Sequence, residues 1–140
     1  MNNFSLDPKL ENDTIKLGEF DLSLLLLMDN ALFPWFILVP KLNAKELYEL
    51  DADQQLMLWT EINTISEFLK EELHVDKINV AAIGNLVPQL HVHVVGRYKD
   101  DFAWPNTVWG RIEREEYEPV KFENLAGALQ KFLENKTIME

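Results

Sequence analysis

The chain has 140 residues, 47% of them hydrophobic, which suits a single compact domain over residues 1–140 and leaves little room for a second. It sets 13 Lys and Arg against 24 Asp and Glu, a formal net charge of −11, so its field disfavours nucleic-acid polymers as partners and requires any phosphate ligand to be small and locally held. There is no cysteine, which excludes disulfides, thiolate catalysis and sulfur-bound metal clusters. Met1 to Leu10 holds no run of signal-peptide length, and no stretch approaches the roughly 20 apolar residues of a membrane span. A cytoplasmic protein with no membrane partner is expected.

In chain order, Asp21 to Asn30 reads as a strand that stops at the turn-forming pair Asp29-Asn30. Trp35 to Val39 is continuously apolar and closed by Pro40, a strand buried on both faces that can pair with the first through the loop at 29–34. From about Asp53 to Leu73 the period turns helical, with Leu58, Ile62, Ile65 and Leu69 on one stripe and Asp51 or Asp53 as N-cap. Ile78 to Ile83 is a strand, and Gly84 to Pro88 returns the chain antiparallel into Leu90 to Tyr98. An irregular segment, Phe102 to Gly110, precedes an amphipathic helix at Glu123 to Leu133. The order implies an α+β domain, an antiparallel sheet packed with one long helix and a C-terminal helix.

The segment that carries chemistry is Gln89-Leu90-His91-Val92-His93-Val94-Val95. On a strand, alternate side chains share a face, so Gln89, His91 and His93 line up at about 7 Å intervals, with Leu90, Val92 and Val94 committed to the core. This places the polar trio on the exposed side. By itself a His-x-His pair is also an ordinary polar surface, and as a zinc chelate it lacks a third ligand, so no metal is assigned.

The pattern resembles the signature of the histidine-triad (HIT) family: histidine, apolar, histidine, apolar, histidine, then two apolar residues. Here Gln89 stands in the first place, as in a bacterial subgroup that also carries a tryptophan-proline segment like Trp104-Pro105. Phe36 to Lys41 resembles the family's apolar strand ending in Pro-Lys before its long helix. The likeness covers roughly residues 21–110.

The resemblance implies a HIT-like fold and attack of His91, the middle position, on the α-phosphorus of a nucleoside phosphoramidate or related nucleotide derivative through a covalent nucleotidyl-histidine. A neutral imidazole suits this role, its unperturbed pKa of about 6.5 leaving it nucleophilic at pH 7, provided a backbone carbonyl orients its other nitrogen. His93 would contact phosphate and assist the leaving group, whereas Gln89 can bond but cannot supply a proton. Asp29 or Asn30 would meet the ribose hydroxyls, unless turn formation is their whole role. Asn85, Arg97 and Trp104 are candidate substrate contacts, Asn85 doubling as a turn former and Arg97 as a local cation. Alternatives from the same residues are a dinucleoside polyphosphate hydrolase and a catalytically weak nucleotide-binding module. A small-molecule nucleotide, no cofactor and a homodimer complete the expectation.

Overall fold

A computed structural model describes residues 4–139. The elements are α1 (Pro8–Asp13), β1 (Thr14–Glu19), β2 (Ser23–Met28), β3 (Trp35–Pro40), a short 3-10 turn at Leu47–Glu49, α2 (Ala52–Glu71), β4 (Lys77–Ala81), β5 (Val92–Arg97) and α3 (Pro119–Met139). All four strand pairings are antiparallel, and the sheet order is β1-β2-β3-β5-β4. The fold is α+β, as expected.

Local chemistry explains the boundaries. Asp51 caps α2 in a reciprocal box: its carboxylate accepts from Gln54 N at 2.8 Å, and its own N–H donates to Gln54 Oε1 at 3.0 Å. The chain leaves α2 through His74, whose φ of 55° lies in the left-handed region. α3 extends beyond the expected 123–133 in both directions, because the apolar stripe marks only the part that packs. Two elements escape the pattern. α1 is short and mostly polar, started by Asp7 accepting from Lys9 N and by Pro8 in the first turn. β1 is an edge strand interrupted by Lys16 and Gly18, with a register shift between those residues.

The sheet is buried on both faces. Leu25, Leu27, Phe36, Leu38, Val92 and Val94 pack with α2 and Leu129 of α3 on one side. Leu24, Leu26, Trp35, Ile37, Val39 and Val95 form a second cluster with Leu10, Val87, Ala103 and Val108 on the other. Alternation therefore sends apolar residues both ways, which is why β2 and β3 read as unbroken hydrophobic runs.

Gly96 marks the tightest approach of β5 to its covering layer. A Cβ there would lie 2.6 Å from Val75 Cγ1 and 3.0 Å from both Leu69 Cδ2 and Pro34 Cγ. Val75 and Leu69 are fully buried and have little freedom to withdraw. Gly96→Ala is expected to destabilise the fold by about 1–3 kcal/mol, measured as a lower midpoint in denaturant unfolding.

Candidate active site

His93 lies on β5 and His91 just before it, and their surroundings differ from the exposed face read from the sequence. His91 and His93 are each only 6% exposed. The face they share with Val95 is roofed by the N-terminal segment and by the loop after β5, so the polar pair sits under a second apolar layer. The rings lie 4.9 Å apart, nearly edge to face.

Each ring has one nitrogen fixed by a partner. His91 Nδ1 lies 2.7 Å from the backbone carbonyl of Gln89. A carbonyl can only accept, so in the neutral ring Nδ1 carries the proton and Nε2 keeps its lone pair. His93 Nδ1 accepts from the indole N–H of Trp35 at 3.0 Å, which puts the His93 proton on Nε2. Trp35 and Trp109 both pack beside His93, with ring centroids 5.8 and 5.5 Å away. Burial, and secondarily the neighbouring His91 ring, push His93 down to about 3.

Gln89 precedes β5 and does not continue its face. Its Oε1 accepts from Asp7 N at 2.9 Å and its Nε2 donates to Ser5 O at 2.8 Å. The contact from Gln89 to His91 is therefore made by its main chain, while its side chain pins the N-terminal segment across the sheet.

Arg97, a candidate substrate contact from its charge, is engaged within the chain. It is 1% exposed, holds Asp101 through Nε and Nη2 at 2.8 and 3.0 Å, and donates from Nη1 to Asn79 Oδ1 at 3.0 Å. Its guanidinium also lies over the rings of Phe33 and Trp104. Burial acts to raise the Asp101 carboxyl, but Arg97 and the backbone N–H groups of Tyr98, Trp104 and Ala103 hold it below its ordinary value. Trp104 is half-buried against this pair.

Asp29 and Asn30 are likewise engaged within the chain. Asp29 Oδ1 accepts from Tyr117 N at 2.9 Å, and its carbonyl accepts from Arg114 Nε at 2.7 Å. Asn30 Oδ1 accepts from Leu32 N and Glu115 N, and its amide donates to Glu113 O. Together they fasten the 113–117 segment over the β2–β3 turn. Asn85 is exposed on the loop between β4 and β5, just after Gly84, whose φ of 70° makes the turn. A cavity of about 500 Å³ lined by Arg97, Trp104, Trp109 and Lys77 adjoins the histidines through Trp109. Trp35 and Trp109, which are absent from the expected site residues, touch His93. Strand spacing carries no sign of this, because it depends on the register between β3 and β5.

An α+β fold with two oriented imidazoles, one on β5 and one just before it, defines the class, and comparison with known proteins agrees. The HIT domain profile matches residues 9–100, so the chain belongs to the HIT domain family. A histidine triad protein of Marinobacter aquaeolei VT8 is 44% identical, with a TM-score of 0.90 over 94% of this chain and 97% of that one. A histidine triad protein of Bradyrhizobium japonicum is 43% identical, with a TM-score of 0.89 over 91% and 96%. A bis(5'-adenosyl)-triphosphatase of Dictyostelium discoideum is 28% identical over 111 residues, 75% of this chain and 74% of that protein. The family and this relative support nucleotide-processing activity in general.

The depressed His93 has a stability consequence. Its neutral form is favoured by the fold, so the unfolded chain binds more protons between about pH 6.5 and pH 3, and the stabilisation present above 6.5 is lost as pH falls through that window. Replacing His93 by Gln should flatten this part of the stability–pH curve, measured by denaturant unfolding at several pH values.

Proposed function

We propose that the protein is a nucleotide hydrolase or nucleotidyltransferase in which His91 is the catalytic nucleophile. One observation carries this reading: the hydrogen bond from His91 Nδ1 to the Gln89 carbonyl leaves Nε2 with an available lone pair in a ring that cannot rotate freely. Attack forms an Nε2–P bond at the α-phosphorus as the bond to the leaving group breaks, the electron pair departing with that group. The carbonyl stabilises the positive charge that builds on the imidazole. Water or another acceptor then attacks phosphorus, returns the bonding pair to Nε2 and frees the nucleotidyl group. His93 Nε2–H supplies a hydrogen-bond donor for the phosphate, and low exposure keeps that interaction strong.

Nucleoside phosphoramidates, whose leaving group is an amine, are one candidate substrate class. Dinucleoside polyphosphates are the other, supported by the named activity of the Dictyostelium relative. Incubation with an α-phosphorus-labelled substrate of either class should trap label on His91 after acid quench. His91→Ala should abolish labelling and lower turnover by about 1,000-fold or more. Nucleotide binding with turnover indifferent to His91 would remove the enzymatic reading in favour of a binding module, and relative turnover on the two classes separates them.

The chain also forms a homodimer in this reading, through the open edge of the sheet at β4. Val80, Leu47, Tyr48 and Trp59 are exposed beside that edge and border a groove of about 490 Å³, an apolar surface suited to a second copy. Light scattering at micromolar concentration should give the mass of two chains, and Trp59→Glu the mass of one. A wild-type monomer would overturn the assignment.

A further inference from the structure

Resting on the covalent mechanism above, we infer that Trp35 is a positioning residue of the site. Its indole N–H, donated to His93 Nδ1, locks His93 as the neutral ring protonated on Nε2. The site then holds a hydrogen-bond donor but no imidazolium acid, and selects nucleotides whose leaving group departs without a proton.

The argument is one of donors and acceptors. An indole nitrogen can only donate, so the His93 nitrogen 3.0 Å away must present a lone pair. An imidazolium would set N–H against N–H in a place where both residues are buried, Trp35 among the apolar residues of the second cluster. Protonation of His93 therefore requires the indole to move, and the indole is held by Trp109 packed edge-on at 6.2 Å between ring centroids.

Among the described residues, no other group near His93 supplies the missing acid. On its own segment the facing titratable group is His91, which is the nucleophile and whose Nδ1–H is committed to Gln89 O. β3 offers Trp35 and Ile37, β4 offers Ala81, and the loop after β5 offers Trp109, none of which titrates in the physiological range. Arg97, further along β5, is paired with Asp101. The Gln89 amide has no acidic proton and is bonded to Ser5 O.

The consequence falls on the leaving group. A phosphate released from a polyphosphate chain is stable as an anion and needs no proton as its bond to the α-phosphorus breaks. An amine or an alkoxide must take a proton from water, and its departure is slow. The geometry thus points, within the proposed function, to substrates with an acidic leaving group at the α-phosphorus.

Two measurements on the intact protein test this. In long-range proton–nitrogen correlation spectra of ¹⁵N-histidine-labelled protein, His93 should appear as the Nε2–H tautomer with Nδ1 unprotonated, and stay so between about pH 5 and pH 8. In Trp35→Phe, which keeps an aromatic ring, His93 should titrate and populate both tautomers. Turnover of nucleoside 5'-phosphate aryl esters should fall by more than about tenfold from a nitrophenyl to a phenyl leaving group in the wild type. The variant should show a shallower fall and gain a pH-dependent limb in kcat. A proton on Nδ1 in the wild type, or a variant with unchanged tautomer and unchanged leaving-group dependence, overturns the inference. The wild-type spectrum alone decides it should Trp35→Phe not fold. Absence of label on His91 instead overturns the covalent mechanism and leaves the tautomer result standing.

Discussion

A buried neutral imidazole has one nitrogen that must donate and one that must accept, and the site is organised around meeting that demand twice. The Gln89 carbonyl takes the proton side of His91, and the Trp35 indole fills the lone-pair side of His93. The rings are given opposite tautomers by partners of opposite character, one main-chain and one side-chain. This leaves a bare nitrogen on one ring and a donor on the other, 4.9 Å apart between centroids. The proposed nucleophile and the proposed phosphate-binding group are thereby distinguished while both rings stay neutral.

That arrangement requires the sheet to be covered on both faces. The α2–α3 side fixes the register of β5 through Val92 and Val94, and Gly96 lets it lie against Val75 and Leu69. The opposite side carries the two histidines, and its cover is built from pieces distant in the chain, the N-terminal segment and the Trp104–Trp109 loop, packed on side chains of β3. Arg97 and Asp101 hold that loop in place by a paired ion bridge whose remaining donor goes to Asn79. The cation serves the architecture of the site, and the protein's acidic balance is not relieved there by a free basic group.

Much of the fold was legible because β2, β3, α2, β4 and β5 write their periods plainly, and an aspartate at 51 or 53 offers a cap for the long helix, of which the structure uses Asp51. α1 and β1 were not, since a six-residue polar helix and a bulged edge strand bury too little to leave a pattern. Within the site, the His-x-His spacing identified the two imidazoles. The uses of Gln89, Asp29 and Asn30 were hidden because their partners lie more than 80 residues away in the chain. The same holds for Trp35 and His93, which meet only once β3 and β5 are aligned. Local periodicity reports which way a side chain points, and not what comes to meet it.

The Gln89 clamp on Ser5 and Asp7 has an outcome for how the molecule assembles. Its two hydrogen bonds close a loop spanning most of the polypeptide, and such closures carry a large entropic cost until the intervening sheet exists. The residue whose carbonyl meets His91 is therefore secured at a late stage of folding, after the strands around it. One residue thus ties two distant parts together: its side chain fastens residues 5–7 and its carbonyl aims the His91 ring, so the ordering of that remote segment and the set of the imidazole are coupled.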